Sequence, residues 1–282
     1  MHSGNHFQFS QNQALPGVRV LEASMADFSY DKHAHEEFGL GLTLAGEQHF
    51  ASQGTFFRSR PGHIIQFNPD QDHDGHAGTQ APLYYHMLYI NEDYLQSLAQ
   101  ALGAPSGQSV YARQTLIQHS QMHRNLRQLC QMLQQGIGSG MALEQKLIEV
   151  ASLFIRLNTD QAPIQSGISQ TSRHDAMIER AREFIRDNLR QNLTLEEISD
   201  QVHLSKFHFL RLFKQHTGMT PHQYLFSCRL GAARHAVEHG EGLTAIAHSF
   251  GFADLSHFNR RFKKVYGMTP AQYQKHLYLN TG

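Results

Sequence analysis

The residues best suited to chemistry in this sequence fall in two short stretches near its end. LRLFKQHTGMTPHQYL begins at Leu210, and NRRFKKVYGMTPAQYQ begins at Asn259. Each carries Arg, then Phe-Lys two residues on, then Gly-Met-Thr-Pro and Gln-Tyr. Helical spacing sets Phe207, Leu210, Arg211 and Lys214 on one face and Phe209, Leu212, Phe213 and His216 on the other. In the second copy Ser256, Asn259, Arg260 and Lys263 oppose Phe258, Phe262 and Val265. Ser205 and Lys206 join the first polar set at the start of its helix. Guanidinium and ammonium groups at this spacing can reach base edges and phosphates when a helix lies in a major groove. A single such face is as often merely solvated. Two copies in one stretch favour nucleic acid.

A second group lies far upstream. His33 and His35 flank an alanine, Glu36 and Glu37 follow at once, and His73 lies beyond. Imidazoles and a carboxylate can line a polar ligand pocket or hold a divalent ion. The chain has 21 histidines, so a His pair carries less information here than usual.

The elements that must position the basic residues are written in the caps. Thr194 and Glu197 make a capping box, and the helix they start runs to about Val202. His203-Leu204 breaks it, Ser205 caps a second helix to about Thr217, and Gly218 supplies the left-handed stop. Thr220-Pro221 opens a third helix. The second copy repeats this from about Leu243 to Phe250. Gly251 is in its turn, Asp254 caps a helix through Tyr266, Gly267 is the stop and Thr269-Pro270 follows. Two helices across a short turn form a helix-turn-helix, so the repeat predicts two, at about 194–217 and 243–266. His203 stands where the second copy has Gly251, a position expected to need positive φ.

The remainder divides the chain. Its 282 residues, 40% hydrophobic, suit two domains. Formal net charge is +0, yet residues 173–282 hold 15 Lys and Arg against 10 Asp and Glu, and residues 1–172 hold 9 against 14. The basic half is the repeat-bearing one, a moderate asymmetry that hints at nucleic acid. Short apolar runs broken by Gly, Pro, Asn and Asp from about Ala14 to Leu88 predict a β-sandwich or small barrel. Helical spacing then predicts helices over Thr115–Gly136 and Met141–Leu157. Their stripes, Leu126, Leu129, Cys130 and Leu133, and Leu143, Leu147, Ile148 and Leu153, fit packing on the barrel or a dimer face. The polar segment 158–174 is expected to link domains 1–157 and 175–282. No apolar run reaches the ~18–20 residues of a membrane span. The first residues lack a secretory pattern, and Cys130 and Cys228 are isolated, so a reducing cytoplasm is expected.

Asp175 to Leu279 resembles the DNA-binding domain of AraC/XylS transcription regulators, through EEIS, FLRLFKQHTGMTPHQYL and IAHSFGFADLSHFNRRFKKVYGMTPAQY. The resemblance implies seven helices, with two helix-turn-helix units joined by a long helix, here Pro221 to about His239. Leu225, Leu230, Ala233 and Val237 suit its buried stripe. It also implies that double-stranded DNA is the partner, read in successive major-groove segments by Phe207, Leu210 and Arg211 and by Ser256, Asn259 and Arg260. Residues from about Gly17 to Tyr89, completed by helices to Asn158, resemble the cupin-type sensor domain of the same regulators. Metal-bearing cupins use HxH, a later Glu and a distant His. Here His33, His35 and His73 fit, but Gly39 and Leu40 stand where the Glu would. The expectation is therefore a small-molecule pocket lined by His33, His35, Glu37 and His73, with no cofactor and only a weak metal candidate in the three histidines.

The resulting fold class is two-domain α+β: a cupin-like barrel with flanking helices, then an all-α domain. The expected function is a ligand-responsive, sequence-specific regulator that is not an enzyme, acts as a homodimer and meets RNA polymerase if it activates. A metal-dependent cupin enzyme fused to a DNA-binding domain is the competing reading, and a purely architectural DNA-binding protein ranks below it. No GxSxG, P-loop or HExxH motif is present.

Overall fold

The computed structural model describes residues 4–104, 109–159 and 171–279. Its first part is built from strands β1 (His6–Gln11), β2 (Val18–Met25), β3 (Ser29–His33), β4 (Phe38–Ala45), β5 (Gln48–Ser52), β6 (Thr55–Ser59), β7 (Ile64–Phe67), β8 (His73–Ala77) and β9 (Leu83–Ile90). Helix α1 (Glu92–Ala101), strand β10 (Leu116–Ile117) and helices α2 (Ser120–Gln135) and α3 (Gly140–Thr159) complete it. One antiparallel sheet runs β1-β2-β9-β4-β7-β10 and the other β3-β8-β5-β6. Alternation sends Leu21, Ala23 and Met25 of β2 to one core and Val18 and Val20 to another. The second of these cores lies under α1, α2 and α3, which contribute Leu95, Leu126, Leu129, Cys130, Leu133, Leu143, Leu147 and Leu153. The two helical stripes therefore pack on the barrel. Ile148 alone of those residues is exposed, as is Met141 on the same helix.

Two sequence expectations shift. Leu116 and Ile117 pair with Ile65 and Ile64 of β7, so the helix expected from Thr115 begins at Ser120, capped by His119. Edge pairing there outweighs helical periodicity. Strand β1 precedes the expected start of the barrel and pairs along its whole length with β2. The expected linker coincides largely with residues outside those described, and α3 and α4 reach into its two ends.

The second part is helical: α4 (Thr171–Asp187), α5 (Leu195–Asp200), α6 (Lys206–Thr217), α7 (Pro221–Glu238), α8 (Leu243–Ser249), α9 (Leu255–Tyr266) and α10 (Pro270–Leu279). The caps act as the sequence predicts. Thr194 and Glu197 bond reciprocally, and so do Thr220 and Gln223 with Pro221 in the first turn. Ser205 and Asp254 accept from His208 N and His257 N. Gly218 and Gly267 close α6 and α9 at φ 72° and 77°. The turn residues His203 and Gly251 both have positive φ, 54° and 73°.

The two helix-turn-helix units are held differently. The first, α5–α6 with α4 and the start of α7, has its own core of Ile178, Ala181, Ile185, Ile198, Val202, Phe209, Leu212, Phe213, Tyr224 and Leu225, to which the barrel adds Ala34. The second shares one continuous core with the barrel. Ile246, Phe250, Phe258, Phe262, Tyr266, Met268 and Tyr273 join Phe7, Phe9, Leu21, Tyr85 and Met87, with Leu230, Ala233 and Val237 of α7. Helix α7 thus begins in one core and ends in the other.

Candidate functional site

The basic faces come first. In α6 the side chains of Lys206, Phe207, Arg211 and Lys214 are exposed, and Leu210 is half-buried. Phe209, Leu212 and Phe213 point the other way into the core. Phe207 is 86% exposed, an unusual setting for a phenyl ring that no neighbour in the fold explains. Ser205 is committed to its cap, and Lys206 Nζ lies 3.2 Å from a Glu196 carboxylate oxygen. In α9, Ser256, Arg260 and Lys263 are exposed and Asn259 is half-buried with its Oδ1 unpaired. The neighbouring Arg261 and Lys264 turn toward the barrel instead: Arg261 stacks on Phe226, and both approach Asp31. Each unit therefore has a solvent-facing strip of cations and hydrogen-bonding groups on a rigid, capped helix.

The histidine group lies at the mouth of the barrel, against α7. His33 and His73 have ring centroids 4.4 Å apart, and His35 lies 5.0 Å from His73. Each bonds a main-chain carbonyl through Nδ1: His33 to Asp31 O at 2.7 Å, His35 to Glu37 O at 2.8 Å and His73 to Gln71 O at 2.9 Å. A carbonyl only accepts, so Nδ1 carries the proton and Nε2 is left as an acceptor. Burial lowers all three imidazoles, His33 to about 4 and His73 well below its ordinary value; adjacent imidazoles add to this for His33 and His73, whereas at His35 Glu37 opposes the fall and Arg19 and Arg234 add to it. The group is therefore neutral at pH 7. Among the described residues no cluster of three or more His, Cys, Asp or Glu side chains is arranged to hold a metal ion.

Glu37 does not present a free carboxylate to that group. Its Oε1 receives Arg19 at 2.8 Å and Arg234 of α7 at 2.7 Å. Burial disfavours its charge, but the two guanidinium groups outweigh that and bring the carboxyl down to about 2. Glu238 accepts from Arg234 at 2.6 Å and from the Tyr273 hydroxyl at 2.8 Å. Glu36 pairs with His235, and the carboxylate of Glu238, followed by that of Glu36, raises the imidazole to about 9. Two clefts flank this contact. One of about 470 Å³ contains Lys32, His33, Phe226 and Arg261, and one of about 440 Å³ contains His35, Glu37, Asp70 and Arg234. The four predicted pocket residues thus gather at the barrel mouth; His33, His35 and Glu37 face the helix that joins the two helix-turn-helix units, and His73 lies behind them, stacked on Phe67. Arg19, Asp70 and Arg234 were not singled out in the sequence, because ion pairs between residues far apart in the chain leave no periodic signal.

A barrel with a neutral imidazole cluster, joined to paired helix-turn-helix units with basic outer faces, defines a regulator of transcription with a sensor domain. The chain is of the AraC type: residues 15–151 match the AraC-like ligand binding domain, and residues 198–276 match a helix-turn-helix domain. It is 26% identical over 267 residues to the HTH-type transcriptional activator RhaS of Salmonella typhimurium, covering 91% of this chain and 90% of that one. It is 24% identical over 228 residues to the uncharacterized HTH-type transcriptional regulator YbfI of Bacillus subtilis, covering 81% of each. The fold is that of ToxT from Vibrio cholerae. An apo variant superposes with a TM-score of 0.62 at 13% identity, covering 95% and 99% of the two chains. The wild-type protein bound to an unsaturated fatty acid gives 0.59 at 14%, covering 98% of each.

Proposed function

We propose that this regulator reads DNA with α6 and α9 in successive major-groove segments, about 34 Å apart, and that a small molecule at the barrel mouth alters that reading. The observation that carries it is the pair of exposed cationic strips, Arg211 with Lys214 and Arg260 with Lys263, each backed by a buried aromatic core. Phe207, Leu210, Ser256 and Asn259 are the remaining base-reading candidates, with Ser205 and Lys206 at the first helix start. His33, His35 and His73 offer acceptor nitrogens to an effector, and Glu37 carries the charge that ties them to α7. The effector can only shift the protein by binding two of its states unequally. The fatty-acid complex of the ToxT structure supports an organic effector in this fold.

The relatives are regulators, and the chain is a regulator rather than an enzyme in this reading. Exposed Met141 and Ile148 on α3 support a homodimer, to be checked by light scattering of wild type and Ile148→Glu at micromolar concentration. Among the described residues no helix is long and apolar enough to cross a membrane. The protein acts in the cytoplasm, and contacts RNA polymerase where it activates.

The test is fluorescence anisotropy on DNA from upstream of its own and neighbouring genes against scrambled DNA, across salt. Specific binding by wild type, weakened in both Arg211→Ala and Arg260→Ala, is the expected result. Equal binding to scrambled DNA that falls only with salt would reduce the two helices to phosphate contacts.

A further inference from the structure

The loop between β7 and β8, Asn68 to Asp72, belongs to the barrel but grips the first helix-turn-helix unit at two points. At the first, Asp70 Oδ2 accepts from Arg182 and, at 2.9 Å, from Arg186 of α4, and from the Tyr224 hydroxyl of α7 at 3.3 Å. At the second, the fully buried Asp72 pairs with Lys32 at 2.7 Å, and Lys32 donates to Gly218 O at 2.9 Å. Gly218 is the residue that ends α6. A Cβ there would lie 2.2 Å from Asp72 Oδ1, so the loop and the helix end fit without spare room. Asp70 holds this place with φ 59°, a backbone conformation that Asp and Asn tolerate better than most side chains.

The same loop is bonded to the histidine group. Asp70 N donates to His35 O at 2.8 Å, and Gln71 O accepts from His73 Nδ1 at 2.9 Å. One main-chain hydrogen bond therefore separates the carboxylate that holds α4 from an imidazole at the barrel mouth. Clefts lie on both sides of the grip, about 280 Å³ beside Arg182 and His216 and about 440 Å³ beside Arg186 and Cys228. The second unit is attached differently. Apolar packing joins it to the barrel, with Phe9 and Tyr273 ring centroids 5.0 Å apart, and Arg261 and Lys264 approach Asp31 only at 3.8 and 4.0 Å through half-exposed side chains.

We propose that Asp70 is a positioning residue for DNA reading: it fixes the first unit against the barrel, while the second unit moves with the barrel as one body. The first unit is then the adjustable reading head, pivoting along α7, and His35 and His73 are its connection to the effector. This rests on the reading of α6 and α9 as DNA-reading helices and of the histidine group as the effector site.

The test uses the full chain with neither DNA nor effector, so it stands apart from that reading. Spin labels are placed at Thr55→Cys with Gln215→Cys to report on the first unit, and at Thr55→Cys with Ala271→Cys to report on the second, both in a Cys228→Ala background. All three label sites are exposed. Asp70→Asn removes the charge and keeps a residue suited to positive φ. In that variant the distance distribution from the barrel to α6 widens and its mean shifts, and the distribution to α10 does not change. Arg182→Gln with Arg186→Gln gives the same shift, and adding Asp70→Asn to that pair gives no more. Raising salt from 0.05 to 1 M on the otherwise unsubstituted labelled chain acts in the same direction, which serves if Asp70→Asn fails to fold. An unchanged α6 distribution under all three conditions would overturn the proposal. So would equal widening at both sites, since Asp70 would then support the fold without selecting a unit. On DNA selected from random duplexes, Asp70→Asn then alters affinity only while the segment read by α6 is intact. Loss that ignores that segment also counts against the idea.

Discussion

The two helix-turn-helix units are near copies in sequence and differ in what lies behind them. The first closes a core to which the barrel adds only Ala34, and meets the barrel chiefly through carboxylates, guanidinium groups and one lysine. The second has no closed core of its own, and its aromatic residues complete a core begun by β1 and β2. Ionic and apolar attachments answer to different variables. The ionic one weakens with salt and needs its geometry intact. The apolar one scales with buried area and is largely indifferent to salt. A repeat can thus give two similar reading heads while the scaffold makes one fixed and one adjustable.

The sharpest way to break this comparison is to damage each core. Phe262→Ala should cost about 3–5 kcal/mol and lower the native-state hydrogen-exchange protection of barrel amides such as Tyr85 and Met87. Phe213→Ala, a loss of the same size class, should reduce protection in α4 and α6 and leave those barrel amides unchanged. Equal effects on the barrel would mean that the cores are not separate.

The next effect probes the barrel side of α7. Glu37→Gln leaves Arg19 and Arg234 buried with one partner fewer, at a cost of about 3 kcal/mol or more. Glu37 has a folded pKa of about 2 against an ordinary 4.5. Its contribution is present above pH 4.5 and is lost as pH falls through about 2. Acid titration by circular dichroism should therefore give a shallower decline between those values for Glu37→Gln than for wild type. His235 runs the other way, because its folded pKa is raised from 6.5 to about 9. Its contribution is complete below pH 6.5 and fades as pH rises through 9, so His235→Asn should flatten the stability profile over that window.

Smaller effects come from the reading faces. Arg211→Ala and Arg260→Ala should each cost about 1–3 kcal/mol of discrimination at one base pair, if the contact is bidentate to guanine. Selection of binding sites with each variant should relax a different segment of the consensus. Smallest of all, Lys214→Ala and Lys263→Ala should each reduce the slope of log affinity against log salt by about 1 and leave the consensus intact.

Much of this was legible in the sequence, because the signals are local. The capping box at Thr194, the stops at Gly218 and Gly267, the Thr-Pro starts and the positive-φ turn at His203 and Gly251 each depend on residues within a few positions. The stripe Leu225, Leu230, Ala233 and Val237 was legible for the same reason, and all four are buried. Arg234 sits beside that stripe in a run that reads as an ordinary helix surface, yet it is buried against Glu37. Asp70 sits in a stretch that reads as a turn, and its partners lie more than a hundred residues away. Strand β10 was hidden because two apolar residues fit a helical period as well as an edge pair. What the sequence conceals is how its halves are joined.

The shared core of the second unit has a consequence for the order in which the chain is made. Strand β1 leaves the ribosome long before α10, yet Phe9 packs on Tyr273, and Phe7 lies so close to Gly267 that a methyl group there would collide with its ring. These are among the longest sequence separations in the molecule, and such contacts form late. While the first unit is being synthesised and closes on itself, the barrel must wait with an apolar strip bare. In that interval the same strip can accept the α10 of another chain, so the nascent protein is most open to misassembly just before its own α10 appears.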